Sequence, residues 1–147
     1  MIMLTDRALA LNPNYAHGWL QSGGLRVWAG HPEIAIEHLE KAQRLSPRAR
    51  LGHWHSLIGV AHFLRRRFDQ ALPNLVLAIQ QDPGDPVPYR YLAACHAYMG
   101  RLDDAREIVA RLRAITPQVM PRDPLLRNPE HRELFLSGLR LAVGEGK

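Results

Sequence analysis

Residues 55–117 read HSLIGVAHFLRRRFDQALPNLVLAIQQDPGDPVPYRYLAACHAYMGRLDDAREIVARLRAITP. Within this stretch Ala71 and Ala105 are 34 residues apart, and so are Pro83 and Pro117. A fixed period of this length is typical of structural repeats, in which one unit cannot bury its apolar face alone. Apolar residues recur at helical spacing, and no segment of useful length alternates apolar and polar residues as a strand does. The sequence therefore predicts an all-α array of stacked helix pairs with no sheet.

The same template occurs three times along the chain. The copies are Trp19-x3-Gly23-x11-Ala35-x6-Ala42-x4-Pro47, His55-x3-Gly59-x11-Ala71-x6-Ala78-x4-Pro83 and Tyr89-x3-Ala93-x11-Ala105-x6-Leu112-x4-Pro117. This pattern resembles the tetratricopeptide repeat (TPR). The resemblance implies a TPR-type superhelix, a right-handed solenoid of antiparallel helix pairs whose concave surface holds another molecule.

The template and the prolines predict three regions. Residues 1–13 are expected to form the second helix of an incomplete repeat, because Ala8-x4-Pro13 repeats the end of the template. Residues 14–117 are expected to hold three repeats, and residues 118–147 a proline-rich connector and a C-terminal capping helix. The repeats are placed at about 15–47, 52–83 and 86–117, and we expect seven principal helices in total.

Two glycines mark the turns inside the helix pairs. Gly30 and Gly100 each follow the first helix of a pair, where glycine commonly ends a helix. The second pair instead has Arg65-Arg66-Arg67 at this turn, where the template commonly has glycine.

The tail adds a second resemblance. Residues 125–140 read LLRNPEHRELFLSGLR. They resemble the ending of proteobacterial class III adenylate/guanylate cyclase-like regulatory proteins, whose C-terminal TPR region closes with an Arg-x-Pro-x5-(Phe/Tyr)-x2-Gly-Leu-Arg type motif. The resemblance implies a non-catalytic interaction module at the C-terminus of a bacterial signalling or regulatory protein. The alternative is the regulatory part of a class III adenylate cyclase whose catalytic domain is absent, and similar TPR tails also follow DNA-binding domains.

Cyclase chemistry itself is not expected from this chain. It needs two metal-binding aspartates on a βαββαβ-type sheet, and the only acidic pair is Asp103-Asp104. These two residues fall in the first turn of a predicted helix, where the helix dipole favours negative charge. Any cyclase activity would therefore belong to an upstream domain.

Other catalytic, cofactor and metal sites are also not predicted. The chain has eight histidines but no His-Glu-x-x-His or Cys-x-x-Cys pattern, and no phosphate-binding loop or nucleophile elbow. The single cysteine, Cys95, is expected to be a small packed residue. It cannot form an internal disulfide, which with the absence of a signal peptide or an 18-residue apolar run favours a cytoplasmic location and no membrane span.

The charge of the chain raises the question of nucleic acid. The net charge is +5 and the pI about 10.0, and 17 of the 19 basic residues are arginine. Apart from Arg65-Arg66-Arg67, the arginines are dispersed along the chain rather than massed in an arm. A nucleic-acid partner is therefore not expected. A stand-alone basic TPR protein that contacts nucleic acid remains an alternative, and its affinity would fall steeply with salt.

The TPR resemblance places candidate partner-binding residues on the concave face, through the first helix of each pair. A peptide or protein segment is the expected ligand, and the alternative is that these residues are core or are covered by the C-terminal segment. A chaperone-tail receptor is not expected, because the positions of the carboxylate clamp hold Leu20, Gly24, Leu57, Val87 and Tyr91 here. The candidate residues are His17, Leu20, Val27, Trp28, His53, Ser56, Val60, Phe63, Leu64, Arg90, Ala94 and Tyr98.

Two expectations concern this surface and the N-terminus. Trp28, Phe63 and Tyr98 should line one side of the groove, so that Phe63→Ala with Tyr98→Ala abolishes partner binding while leaving helix content nearly intact. The N-terminal half-repeat should expose an apolar stripe around Leu4 and Ala8, which favours a homo-oligomer formed through this end.

Overall fold

The computed structural model describes residues 2–48 and 53–145, and its regular elements in these ranges are all helices. The all-α prediction is thus confirmed for the part of the chain that the structure describes. The helices are α1 (Ile2–Leu11), α2 (Ala16–Ala29), α3 (Pro32–Leu45), α4 (Trp54–Leu64), α5 (Phe68–Gln81), α6 (Pro86–Tyr98), α7 (Leu102–Arg113) and α8 (Pro129–Val143).

The expected count of seven helices is wrong, because the described ranges contain eight. The segments on both sides of the helix pairs are regular helices, and the proline-led C-terminal segment forms a helix of 15 residues. The predicted start of the fourth helix at residue 52 lies outside the described residues, and α4 begins at Trp54.

Small residues of the template bring the two helices of a pair together. A Cβ atom on Gly23 of α2 would lie 2.6 Å from Leu39 Cγ of α3, and one on Gly59 of α4 would lie 2.8 Å from Leu75 of α5. No side chain fits in these places without a shift of the neighbouring helix. The pairs α2–α3, α4–α5 and α6–α7 therefore pack closely, and each pair stacks on the next.

The three turns inside the pairs have one shape. The main-chain amides of His31, Arg67 and Arg101 donate to the carbonyls of Arg26, His62 and His96 at 2.8–2.9 Å. The residues just before these amides have positive φ: Gly30 at 98°, Arg66 at 60° and Gly100 at 76°. This is the hydrogen-bonding pattern that ends a helix with one left-handed residue.

A buried side chain and an ion pair contribute to the attachment of α1 to α2. Leu9 is buried, and the Asp6 carboxylate accepts from Arg26 Nη2 at 2.8 and 2.9 Å. Arg26 is itself buried and also donates to Ser22 Oγ at 2.5 Å. The Ser22 Oγ atom in turn lies 2.7 Å from His38 Nδ1. A polar network thus runs from α1 through α2 to α3.

The C-terminal part of the chain crosses back over the helix pairs. Residues 118–128, which we call the connector, leave α7 and reach the end of α2, where the Arg127 amide donates to the Trp28 carbonyl at 3.0 Å. Helix α8 then packs mainly on α6 and less on α7 and α4. The first helix of a further regular pair would pack chiefly on α7. Compared with such a helix, α8 is shifted towards the first helices of the pairs, which carry the candidate residues.

Candidate functional site

An open cavity of about 500 Å³ lies between α1 and the first helices of the three pairs. Its lining is predominantly apolar, with a few hydrogen-bonding groups, which is the usual composition of a ligand pocket. The lining residues are Thr5, Gln21, Gly24, Leu25, Trp28, His53, Ser56, Leu57, Asp85 and Val87.

Three of the candidate residues line this cavity: Trp28, His53 and Ser56. The sequence patterns missed others. Gln21 and Leu25 lie seven and three residues before Trp28, so helical spacing from Trp28 on α2 is a signal that could have found both. Thr5 carries no such signal, because its place in the lining depends on how α1 docks.

The charged side chain in the described lining is a carboxylate, Asp85, although the whole chain carries +5 and Arg90 lies near Asp85. Asp85 lines the cavity and caps α6, where Asp85 Oδ1 accepts from the Val87 amide at 3.0 Å. A smaller adjoining pocket shares Asp85, His53 and Ser56 and adds Asp82. No lysine or arginine is among the described residues that line either pocket. The cavity therefore favours a ligand with an apolar body and a basic or hydrogen-bond-donating group.

Six candidate residues are buried in the core instead. Phe63 has no exposed surface, and its ring lies 5.2 Å from Tyr91, 5.3 Å from Phe68 and 6.4 Å from Phe135 of α8, centroid to centroid. A partner cannot touch such a residue while α8 is in place. The buried candidates are Leu20, Val27, Val60, Phe63, Leu64 and Ala94.

Tyr98 is half-buried under the same helix. Its hydroxyl donates to the Leu134 carbonyl of α8 at 2.5 Å, and its ring stacks on Phe68 at 5.1 Å. Burial raises the pKa of the Tyr98 phenol above its ordinary value. Because Phe63 and Tyr98 are packing residues, the double alanine variant would lose stability, and it cannot serve as the test of partner binding that the sequence suggested.

Arg90 is bound to the connector. Its Nε donates to the Val119 carbonyl at 2.9 Å and its Nη2 to the Gln118 carbonyl at 2.8 Å. Burial lowers the pKa of Arg90 from its ordinary value, and nearby Asp85 partly opposes this. The guanidinium thus binds carbonyl groups that belong to the chain itself. The remaining candidate, His17, is exposed and does not line the cavity.

Burial shifts the pKa of several other titratable groups in the described residues. Burial lowers the pKa of His38, His62, His96 and His131, and raises that of the buried Cys95 thiol to about 12. A thiol of this kind is protonated and unreactive at neutral pH. Within residues 2–48 and 53–145, no group of three or more His, Cys, Asp or Glu side chains is placed to hold a metal ion. No helix in these ranges has the length and apolar character needed to cross a membrane.

Comparison with known proteins supports the repeat and the fold. The family described as tetratricopeptide repeat matches residues 62–123. A curated relative, U-box domain-containing protein 70 of Oryza sativa subsp. japonica, is 28% identical over 88 residues, which make up 60% of this chain. The chain spans only 11% of that protein's length.

Solved structures match over nearly the whole chain. The crystal structure of MamA has a TM-score of 0.70 at 22% identity, covering 98% of this chain and 85% of that one. YrrB, described as a TPR protein with an unusual peptide-binding site, gives 0.67 at 23% identity, with coverages of 98% and 75%. TTC0263, a thermophilic TPR protein of Thermus thermophilus, gives 0.63 at 23%, with coverages of 94% and 71%. The chain therefore has the superhelical fold of tetratricopeptide-repeat proteins, and its residues 62–123 match the repeat itself.

Proposed function

We propose that this chain is a non-catalytic interaction module that binds a peptide segment of another protein on its concave surface. The open cavity between α1, α2, α4 and α6 carries the proposal, because it is large enough for one or two side chains and is mostly apolar. YrrB, a structural neighbour, is described as having a peptide-binding site, which is consistent with a ligand of this kind.

The cavity lining suggests what the peptide contains. An apolar side chain fits against Trp28, Leu57 and Val87, and a lysine or arginine next to it would face Asp85. Such a side chain finds no competing basic residue in the described lining. A nucleic-acid partner is not proposed, since phosphate groups would meet a carboxylate here.

We further propose that the module belongs to a bacterial signalling or regulatory protein of the cytoplasm, with the three repeats and the tail divided as the template suggests. The tail motif of residues 125–140 supports this. The alternative, which the same motif favours, is the regulatory part of a class III adenylate cyclase whose catalytic domain lies upstream. The genomic sequence before Met1 tests both: an in-frame cyclase domain would support the alternative, and a different regulatory domain would contradict it.

A peptide selection tests the proposed function. The full chain is immobilised and panned with a phage-displayed random library of short peptides, and the enriched peptides are synthesised and titrated by fluorescence anisotropy. Val87→Arg places a cation inside the cavity, which opposes both the apolar and the basic part of the ligand, and Ile34→Arg makes the same change at an exposed site on α3 that does not line it. We expect Val87→Arg to weaken binding at least tenfold and Ile34→Arg to leave it unchanged.

Two outcomes would contradict the proposal. One is that no peptide is enriched, and the other is that enriched peptides bind the two variants equally. A salt titration distinguishes peptide binding from the nucleic-acid alternative, because phosphate contacts give a steep fall in affinity between about 50 and 200 mM salt. Peptide binding that depends on apolar burial should change little over the same range.

A further inference from the structure

We infer that the connector, residues 118–128, is an internal ligand of the concave surface and that a partner segment with the connector's chemistry competes with it. A segment with this chemistry is extended and presents two adjacent main-chain carbonyls to Arg90. It also has a leucine seven residues after the second of these carbonyls. The inference rests on the proposed function and specifies the ligand of the same surface.

The first contact is made by Arg90. Its two donors reach the carbonyls of Gln118 and Val119 at 2.8 and 2.9 Å. Both acceptors are main-chain atoms, so any extended peptide offers them whatever its side chains are. The guanidinium fork holds two adjacent carbonyls, which fixes the direction of the bound strand without requiring a sequence.

The second contact is an anchor of one leucine. Leu126 is only 2% exposed and lies in the apolar core, whereas its neighbour Leu125 is 60% exposed. Leu125 has a φ of 64°, a conformation that a leucine rarely adopts. The backbone therefore takes an unfavourable turn in order to place Leu126 inward, and detachment of the connector would relieve it.

The third contact joins the connector to the open cavity. The Arg127 amide donates to the Trp28 carbonyl, while Trp28 also lines the cavity. A peptide that enters the cavity and extends along α2 therefore meets the connector at Trp28. The cavity and the connector's site are two parts of one surface.

The connector is held by few hydrogen bonds, as an exchangeable ligand should be. In the part of the chain that the structure describes, its hydrogen bonds to α2 and α6 are the two from Arg90 and the one to Trp28. Arg132 Nη2 of α8 also donates to the Leu126 carbonyl at 2.7 Å. Pro121 and Pro124 lie between these contacts and have no N–H group that could join a helix or a sheet. The connector can therefore leave without breaking a ladder of main-chain hydrogen bonds.

A competition experiment on the full chain tests the inference. The probe is a synthetic peptide of residues 118–130 with an N-terminal fluorescein, titrated by anisotropy. Leu126→Asp removes the internal anchor, and Leu125→Asp makes the same change at the exposed neighbour. We expect the probe to bind Leu126→Asp at least tenfold more tightly than the unaltered chain, and Leu125→Asp like the unaltered chain. Trypsin should also cut after Arg122 and Arg127 faster in Leu126→Asp.

Equal probe affinity for the two variants would overturn the inference, and so would a probe carrying Leu126→Asp that binds as tightly as the native probe. Hydrogen exchange on the unaltered chain gives a second test if Leu126→Asp does not fold. The Arg127 amide should exchange at least tenfold faster than amides in the middle of α4, and equally slow exchange would mean that the connector does not leave. If peptides selected by panning bind the unaltered chain, Leu126→Asp and Leu125→Asp equally, the proposed function stands and this inference fails.

Discussion

Arg66 occupies a backbone conformation that glycine occupies in the two equivalent turns. Its φ of 60° compares with 98° at Gly30 and 76° at Gly100. A side chain in this region costs about 1–2 kcal/mol, which the greater freedom of glycine in the unfolded chain partly offsets. We expect Arg66→Gly to raise the free energy of unfolding by about 0.5–1 kcal/mol, measured by urea denaturation.

The reverse change is the matched control. A Cβ on Gly100 would have no atom within 4 Å, so Gly100→Arg tests the backbone term without a clash. It should lower the free energy of unfolding by a similar amount. A stabilising Gly100→Arg would show that the φ angle does not decide these turns.

Gly138 is the residue at which α8 approaches α6 most closely. A Cβ there would lie 2.5 Å from Tyr98 Cε2 and 3.0 Å from Ala94 Cβ. Tyr98 cannot move aside cheaply, since its hydroxyl is bonded to Leu134 and its ring is stacked on Phe68. Gly138→Ala should therefore destabilise the chain by about 1–3 kcal/mol in urea denaturation.

Gly24→Ala provides the comparison for this prediction. The new methyl group would lie 3.4 Å from Leu57, an ordinary contact, and alanine favours a helix by about 0.5–1 kcal/mol over glycine. This variant should be neutral or stabilised. A stable Gly138→Ala would mean that α8 can shift on α6.

Four partly buried histidines make stability depend on pH. Burial lowers their pKa values in the folded chain, so below the ordinary value of about 6.5 the unfolded chain binds more protons. The free energy of unfolding should be constant above about pH 7 and should fall as the pH drops below about 6.5. Urea denaturation at a series of pH values from about 7.5 down to about 5.5 measures this.

A double variant of the histidines in α4 and α6 tests this pH dependence. His62 and His96 each have a buried Nδ1 without a hydrogen-bond partner among the described residues. His62→Gln with His96→Gln should reduce the pH dependence, and His17→Gln, at an exposed site, should not. If the double variant keeps the full dependence, other groups cause it.

At the scale of elements, the helix pairs could be predicted and the path of the connector could not. Gly23, Gly59 and Ala93 occupy one template position because a close helix crossing admits only a small residue, and such local constraints are visible in a sequence. The prolines of the connector indicated only that no long helix forms there. The burial of Leu126 and the role of Arg90 depend on contacts between distant segments, which no local pattern encodes.

Helix α1 depends on one ion pair for its docking. Asp6 is half-exposed, but its partner Arg26 is buried and would lose an acceptor. Asp6→Asn should lower the free energy of unfolding by about 1 kcal/mol after allowance for solvent screening. It should also speed hydrogen exchange in α1 more than in α4 to α8.

Asp103→Asn is the control for this effect. It removes the ion pair with Arg106, in which both side chains are exposed, so stability should not change measurably. Equal exchange rates in α1 for Asp6→Asn and the unaltered chain would show that the ion pair does not hold the helix.

At the scale of the whole molecule, the exposed apolar side chains of α1 bear on the predicted self-association. Met3, Leu4 and Leu11 are 84%, 72% and 83% exposed on α1. Exposed apolar groups on one helix favour association with a second copy, as the sequence suggested. We expect a concentration-dependent dimer in equilibrium sedimentation, and Leu4→Glu with Leu11→Glu should shift it to monomer.

The control for this prediction lies on another helix. Leu77→Glu changes a 41%-exposed leucine of α5 and should leave the dimer intact. A monomer at high concentration of the unaltered chain would contradict the prediction.

The hydrogen bond between the Arg127 amide and the Trp28 carbonyl has a consequence for how the molecule unfolds. It joins residues 99 positions apart in the sequence, whereas stacked repeats ordinarily interact only with their neighbours and can fray one after another from an end. With the connector in place, the first and last helix pairs are linked through it, which favours a single cooperative transition over stepwise loss of repeats. The same contact raises the mean sequence separation of contacting residues, so we expect it to slow folding relative to an open array of this length.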